Sequence, residues 1–134
     1  MFIYETKVRV RYAETDRMGF AYYGNYATYF EVARVEAMRT LGMSYKQLED
    51  GGVLLPVSEF TTKYKKPAYY DDELTIRVMV RDIPKVRFNF YYETYNEKGE
   101  LLNTAFTQLV FVNKINGRPT VVPTQLLSLI KAHF

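Results

Sequence analysis

The chain has 134 residues and a formal net charge of +3, from 18 lysines and arginines against 15 aspartates and glutamates. It has no cysteine, which excludes disulfides, thiolate zinc sites, iron–sulfur ligation and a cysteine nucleophile. The single histidine, His133, is next to the C-terminus, so we expect no Ser-His-Asp triad, no His-Glu-x-x-His zinc site and no histidine general base.

The predicted elements begin with a strand and a long helix. Residues 5–12 alternate between apolar and basic side chains, which predicts a half-buried strand. Residues 13–24 show no clear period. Residues 25–41 carry apolar side chains every three or four positions, which predicts an amphipathic helix about 25 Å long. Asn25 is a suitable N-cap for this helix, and Gly42 is suitable just after its end.

Further strands and two short helices are predicted for the rest of the chain. Ser44 to Gln47 has the pattern of a capping box at the start of a short helix. Four strand-like segments follow, the last two joined by a turn at residues 96–99, and Thr124 is predicted to cap a C-terminal helix. Short connections favour antiparallel pairing. The predicted class is therefore α+β, with the long helix on one antiparallel sheet, in a single domain spanning residues 1–134.

The surface offers hints about partners and location. Tyr91, Phe106 and Phe111 are predicted on the second face of the sheet, which indicates contact with another subunit. No apolar run reaches about 18 residues and no leader pattern is visible, so we expect a soluble, cytoplasmic protein without membrane insertion. The slight positive charge suits an anionic small molecule or nucleic acid and does not decide between them.

The segment with the most chemical content is YAETDRMGFAYYGNYATYFEVAR, residues 12–34. It places a carboxylate, Asp16, in a turn-like stretch just before the long helix. Because the composition argues against histidine and cysteine chemistry, an enzyme with this sequence would depend on a carboxylate, a tyrosine or a lysine. Taken alone, however, Asp16 would most often be a turn residue.

This segment resembles the signature of hotdog-fold acyl-CoA thioesterases in the 4-hydroxybenzoyl-CoA thioesterase-like family, which includes a branch associated with the Tol-Pal system. The family pattern is aromatic-x-x-[Thr/Cys]-Asp-x-x-Gly-x-x-Tyr-x-x-Asn-Tyr, followed by [Phe/Tyr]-Glu-x-x-Arg. The matching residues are Tyr12, Thr15, Asp16, Gly19, Tyr22, Asn25, Tyr26, Phe30, Glu31 and Arg34. A second segment, YKKPAYYDDEL at residues 64–74, resembles a strand junction of the same family.

The resemblance implies a hotdog fold, which is a curved antiparallel β-sheet wrapped around one long central α-helix. It also implies that the chain hydrolyses an acyl-CoA thioester to free acid and CoA. Asp16 would be the catalytic carboxylate, acting as a nucleophile through an acyl-aspartyl anhydride or as a base that activates water. Backbone amides near Tyr23 and Gly24, at the helix N-terminus, would bind the developing oxyanion.

Other matching positions are expected to shape the substrate site. Tyr22 and Tyr26 are interpreted as packing and pocket-lining residues. Asn25 most simply caps the helix, and Glu31 is as readily a solvent-facing side chain as one that positions the site. Tyr23 stands where many relatives have histidine, and a phenol cannot replace the titration of an imidazole near neutral pH.

Coenzyme A is expected to be part of the substrate and product, with no separate cofactor and no metal. Lys85 and Arg87 are the preferred candidates for contact with its phosphates, ahead of Lys63, Lys65 and Lys66. The resemblance places coenzyme A at the surface near subunit boundaries, and we expect a homodimer or homotetramer.

Other functions stay open as alternatives. The aromatic stretch RFNFYYETY suits base stacking in an RNA-recognition fold, but the glycine-containing strand pattern of that fold is absent, so we expect no nucleic acid partner. A non-catalytic acyl-thioester binder and an acyl-carrier-protein thioesterase would keep the same fold. A hotdog dehydratase would need a histidine that has no counterpart here.

Overall fold

The computed structural model describes residues 1–134 as two sheets and three α-helices, with a short 3₁₀ turn before the first helix. In chain order the elements are β1 (Phe2–Arg9), the 3₁₀ turn (Tyr12–Glu14), α1 (Asn25–Leu41), α2 (Tyr45–Asp50), β2 (Val53–Leu54), β3 (Val57–Tyr64), β4 (Glu73–Val80), β5 (Arg87–Tyr95), β6 (Leu101–Val110), β7 (Val112–Asn113) and α3 (Thr124–Lys131).

The main sheet has five antiparallel strands in the order β1-β4-β5-β6-β3, and β2 pairs with β7 in a separate two-stranded sheet. The predicted turn between β5 and β6 is confirmed: the Asn96 side chain accepts the N–H groups of Lys98 and Glu100, both at 3.0 Å. Strands β1 and β3 form the two edges, so each has one side without a strand partner.

Alternation places apolar side chains on one face of the central strands. On β4 and β5 these side chains are at most 1 % exposed: Leu74, Ile76, Val78, Val80, Phe88, Phe90 and Tyr92. Helix α1 packs on this layer, and its Phe30 ring stacks on the Tyr92 ring with centroids 4.6 Å apart. The predicted α+β architecture is therefore confirmed.

The predicted bounds of α1 are confirmed, but its predicted N-cap is wrong. Gly24 occupies the N-cap position, and Asn25 is the first helical residue. The Asn25 amide instead donates to the carbonyl of Glu14 at 2.6 Å. At the other end, Gly42 has φ +116, a left-handed conformation that glycine adopts without steric cost. In α3 the cap prediction also fails, because Thr124 is the first helical residue and Pro123 precedes it.

Two further predictions have opposite outcomes. The capping box at the start of α2 is confirmed, with the Ser44 hydroxyl accepting the N–H of Gln47 at 3.2 Å. Phe111 does not lie on an open sheet face, since it is fully buried and stacks on Phe88. Tyr91 and Phe106 do lie side by side on the outer face, half-buried, with ring centroids 5.2 Å apart.

The two ends of the chain lie together. The Met1 amine donates to the carbonyl of His133 at 2.8 Å, and the Phe2 ring contacts the His133 imidazole edge-on at 4.8 Å. None of the helices combines the length and the apolar composition needed to cross a bilayer.

Candidate functional site

Asp16 lies in the loop that leads from the 3₁₀ turn into α1. The loop folds back on itself through a bridge between Thr15 and Ala21, and the Asp16 N–H donates to the carbonyl of Phe20 at 2.8 Å. A turn closed by Gly19, whose N–H donates to the Asp16 carbonyl at 3.0 Å, makes this reversal. The backbone around the carboxylate is therefore held on both sides.

The two oxygens of the Asp16 carboxylate have different surroundings. Oδ1 accepts the N–H groups of Met18 at 2.9 Å and Phe20 at 3.1 Å. Oδ2 accepts no hydrogen bond from any residue of the chain. Because Oδ1 is fixed by two amides and Oδ2 is not, the carboxylate is oriented and still has one oxygen available for a ligand or a water molecule.

A cleft of about 360 Å³ opens beside Asp16. Its walls come from the loop, from the start of α1, and from the end of β3 with the segment that follows. The lining residues are Asp16, Met18, Phe20, Ala21, Tyr23, Tyr26 and residues 64–68. The cleft therefore combines aromatic walls, one carboxylate and two lysines, Lys65 and Lys66.

Tyr26 forms a buried part of the cleft wall, only 2 % exposed, and its ring contacts the Tyr64 ring at 5.7 Å. Burial, with a smaller contribution from Tyr64, raises the pKa of Tyr26 to about 12. The Tyr26 hydroxyl is therefore protonated at neutral pH, and it is suited to donating a hydrogen bond rather than to acting as a base.

Where the loop enters α1, the backbone N–H groups of Tyr23 and Gly24 make no hydrogen bond within the chain. The N–H groups of Asn25 and Tyr26 donate to the carbonyls of Tyr22 and Tyr23, at 2.9 and 3.1 Å. The positive end of the dipole of α1 lies at the same place, so the amides of Tyr23 and Gly24 are suited to binding a negative oxygen.

The aromatic side chains next to these amides are exposed. Tyr22 is 46 % and Tyr23 64 % exposed, and their rings contact each other with centroids 4.6 Å apart. The Tyr22 ring also lies over Gly24, because a Cβ placed there would be 2.6 Å from its Cε2 atom. Glycine at position 24 therefore allows a close approach between ring and backbone.

The remaining predicted site residues lie outside the cleft. The Asn25 side chain is bonded to the carbonyl of Glu14, and Glu31 is exposed on α1. Lys85, two residues before β5, and Arg87, its first residue, are exposed and do not line the cleft. Lys65 and Lys66 do line it.

The preference for Lys85 and Arg87 as phosphate contacts stays a prediction, and the structure adds that Lys65 and Lys66 line the cleft. Lys65 and Lys66 lie in the segment 64–74, whose resemblance to the family had already set it apart. Of the aromatic walls, Tyr64 belongs to that segment without a predicted role, and no sequence signal marks Phe20.

Asp71 and Asp72, in the segment 64–74, are engaged within the chain, and the Asp71 carboxylate lies 3.5 Å from Nη1 of Arg9. Asp71 has φ +67, and the Asp72 carboxylate accepts the N–H of Tyr69 at 2.9 Å. No group of three or more histidine, aspartate or glutamate side chains is placed to hold a metal ion.

Known proteins of similar sequence belong to the family that the sequence resembles. The sequence profile of the Thioesterase-like superfamily matches residues 10–130. A Bacillus subtilis (strain 168) protein, YneP, described as a candidate acyl-CoA thioesterase, is 34 % identical over 89 % of this chain and 86 % of its own length. The acyl-CoA thioester hydrolase YbgC of Escherichia coli O157:H7 is 29 % identical over 96 % of both chains.

A solved structure shows the same architecture. The DHNA-CoA thioesterase of Staphylococcus aureus superposes with a TM-score of 0.91 and 36 % sequence identity, covering 98 % of this chain and 93 % of the other. With the sheet order and the central helix described above, this likeness confirms the predicted hotdog fold.

Proposed function

We propose that this chain, which belongs to the Thioesterase-like superfamily, hydrolyses the thioester of an acyl-CoA to free acid and coenzyme A, with Asp16 as its catalytic carboxylate. It is a thioester hydrolase by family. The observation that carries the assignment is that Asp16 lines one cleft with Tyr23 and Tyr26 and has a carboxylate oxygen, Oδ2, that accepts no hydrogen bond.

In the proposed pose the thioester carbonyl oxygen points at the N–H groups of Tyr23 and Gly24. Negative charge develops on this oxygen when the carbonyl carbon is attacked, and preorganised amides at a helix N-terminus stabilise that charge. One such donor contributes about 3 kcal/mol to lowering a barrier in well-studied cases. Thiolate is a good leaving group, so this arrangement needs no histidine.

Asp16 acts by one of two routes. As a nucleophile, Oδ2 bonds to the acyl carbon, the carbon–sulfur bond breaks and the thiolate leaves, and water then hydrolyses the anhydride to regenerate the carboxylate. As a base, Oδ2 takes a proton from a water molecule whose oxygen bonds to the acyl carbon, and the carbon–sulfur bond then breaks with departure of the coenzyme A thiolate. The proton on Oδ2 is afterwards lost to solvent, which regenerates the carboxylate. An acyl adduct on Asp16 in rapidly quenched turnover mixtures, detected by mass spectrometry, supports the first route.

The cleft walls support an assignment of the two ends of the substrate. Four aromatic rings, from Phe20, Tyr23, Tyr26 and Tyr64, favour an aromatic acyl group among the candidates, as in the DHNA-CoA that the Staphylococcus aureus relative is named for. Lys65 and Lys66 would meet phosphates of coenzyme A at the cleft mouth. Lys66 already pairs with Glu100, so Lys65 is the freer of the two.

The proposal includes an assembly and a location. We propose a homodimer or homotetramer acting in the cytoplasm on a small-molecule substrate, with no nucleic acid partner and no cofactor besides the coenzyme A of the substrate. Acyl-carrier-protein thioesters are the second substrate candidate, because they present the same thioester on the same pantetheine arm.

The test is thiol release from a panel of aromatic, short-chain and long-chain acyl-CoAs by the wild-type protein and by Asp16→Asn. Asparagine keeps the size of the side chain and removes the charge, so we expect kcat to fall by about 100-fold or more. Asp82→Asn, the same change at an exposed position outside the cleft, is the control. A folded Asp16→Asn variant with wild-type activity would overturn the mechanism, and an inert wild type would move the search to carrier-protein thioesters.

A further inference from the structure

Glu14 is the one carboxylate that the fold buries, at 9 % exposure, and neither the family pattern nor the cleft includes it. Its Oε1 accepts the backbone N–H of Arg11 at 2.9 Å and the buried hydroxyl of Tyr29 at 2.8 Å. Its Oε2 accepts Nε and Nη2 of Arg11 at 2.9 and 2.8 Å. The carboxylate thus ties the beginning of the loop to the second turn of α1.

The carbonyl of Glu14 makes a second set of contacts. It accepts the N–H of Tyr22 at 2.8 Å and the Asn25 amide at 2.6 Å. These two donors stand on either side of Tyr23 and Gly24. The carbonyl therefore holds both ends of the segment whose two N–H groups have no acceptor.

We propose that Glu14 is the positioning residue of this site, holding the Asp16 carboxylate and the free amides of Tyr23 and Gly24 in one fixed geometry. The proposal rests on the proposed function, because these are the groups assigned there to attack and to oxyanion binding. Only Thr15 separates Glu14 from Asp16, and the Glu14 carbonyl accepts from both ends of the segment that carries the amides, so we expect a shift of Glu14 to move both groups.

The geometry favours positioning over a merely stabilising role. The Arg11 side chain is 78 % exposed, and a salt bridge with so exposed a partner contributes little to stability. A displacement of about 1 Å between reacting groups, in contrast, costs about 100-fold in rate. The ion pair with Arg11 therefore adds little to folding, and the buried bond from Tyr29 is the part of the cluster that both folding and positioning depend on.

The contribution of Glu14 to folding stability depends on pH, because only the ionised carboxylate accepts all four hydrogen bonds. Burial, the largest single influence, raises the pKa of Glu14, but the hydrogen bonds from Arg11 and Tyr29 together lower it below its ordinary value of 4.5. Because the folded pKa is the lower one, the stability contributed by the ionised carboxylate is complete above pH 4.5 and is lost as the pH falls through the lowered value.

The first variant is Glu14→Gln. Its amide has a single acceptor oxygen and places an NH₂ group against Arg11 or Tyr29, so at least one of the four carboxylate bonds is replaced by a contact between donors. Glu36→Gln is the matched control, since Glu36 also pairs with an arginine three residues away, but on the exposed part of α1. We expect Glu14→Gln to lower kcat by about 10- to 100-fold with KM changed less than two-fold, and Glu36→Gln to leave both unchanged.

Tyr29→Phe is the second variant, in case Glu14→Gln does not fold. Phenylalanine keeps the ring but lacks the hydroxyl that donates to Glu14. Tyr29 does not line the cleft. We expect kcat to fall by about three- to ten-fold, again with KM unchanged. A folded Glu14→Gln or Tyr29→Phe protein with wild-type kcat would overturn the proposal, as would a loss of activity that matches the fraction of unfolded protein.

A measurement without substrate separates this proposal from the proposed function. The backbone ¹H–¹⁵N signals of Tyr23 and Gly24 should broaden or shift in Glu14→Gln and stay in place in Glu36→Gln. If these signals move while the wild type hydrolyses no thioester, the positioning role stands and the proposed function fails. If the wild type is active and the signals stay in place, the positioning role fails alone.

Discussion

Thr94 and Thr107 are buried threonines on neighbouring strands, 0 % and 3 % exposed, and they differ in their hydrogen bonds. The Thr107 hydroxyl pairs with the Tyr92 hydroxyl at 2.6 Å, and Tyr92 also accepts Nη1 of Arg34 at 3.0 Å. The Thr94 hydroxyl has no partner. A buried hydroxyl without a partner costs folding free energy, whereas a paired one does not.

Valine substitutions at these two positions should therefore act in opposite directions. Valine keeps the shape of threonine and removes the hydroxyl. We expect Thr94→Val to raise the free energy of unfolding by about 1 kcal/mol, and Thr107→Val to lower it by about 1–2 kcal/mol because Tyr92 loses a partner. Urea titrations of both variants measure the difference, and an equal loss in the two would show that Thr94 has a partner in solution.

Single residues also show what the sequence could reveal about the site. Asp16 was predicted because it stands inside a long family-like pattern, and the structure places it in the cleft. No sequence pattern marks Glu14, two residues away, because its role depends on contacts made by the folded chain. Its partner Tyr29 lies fifteen residues on, and its partner Tyr22 contributes only a backbone group.

Helix α1 was the best predicted element, and the reason is local. Its apolar period runs unbroken from Tyr26 to Leu41, and Gly42 ends it, so both bounds follow from neighbouring residues. Its N-cap was predicted wrongly because Asn25 has the side chain of a cap but bonds to the loop instead. Competition from a distant backbone carbonyl cannot be read from the residues beside the helix start.

Strand β3 is the element with the most open surface. It forms one edge of the sheet, and its exposed side chains include Val57 at 50 %, Phe60 at 42 % and Tyr64 at 52 %. An exposed edge with large apolar side chains promotes pairing with another strand. We expect the proposed homodimer to form through antiparallel pairing of two copies of β3.

The charges on β3 select one register for that pairing. A two-fold axis at Thr61 places Glu59 of one copy opposite Lys63 of the other, twice by symmetry, with all three residues on the outer face. An axis at Phe60 places Glu59 opposite Thr61 and Lys63 opposite Val57. An axis at Thr62 places Glu59 opposite Lys65, which lies beyond the end of β3, and Lys63 opposite Thr61, so only the Thr61 axis pairs both charges within β3. The sequence of β3 is therefore complementary to itself in this register.

Charge exchange tests the register. We expect Lys63→Glu to weaken dimerisation by about 10-fold, because it places acidic side chains opposite each other, and the double variant Glu59→Lys, Lys63→Glu to restore it. Sedimentation equilibrium measures the dissociation constants, and Lys98→Glu, in the exposed β5–β6 turn, is the control. Wild-type dimerisation in the single variant would exclude this register.

The molecule as a whole was predicted more reliably than its contacts. The five strands of the main sheet and the three α-helices occur in the predicted order, and the buried faces of β4 and β5 are the predicted ones. The small sheet of β2 and β7 was not predicted. Which strands form the edges, and which lysines reach the cleft, depends on how β3 joins β6 rather than its neighbour in sequence, β4. Such pairing over a long separation is set by the packing of the complete chain.

The contact between Met1 and His133 brings the first and last residues of the chain within reach of a short linker. Because Met1 and His133 already touch, a short glycine-rich linker between them should be accepted, and the chain can be reopened at the turn 96–99. We expect the permuted protein to fold with the same circular dichroism spectrum and to keep its cleft. A permutant that does not fold would mean that the β5–β6 hairpin must be continuous for the sheet to assemble.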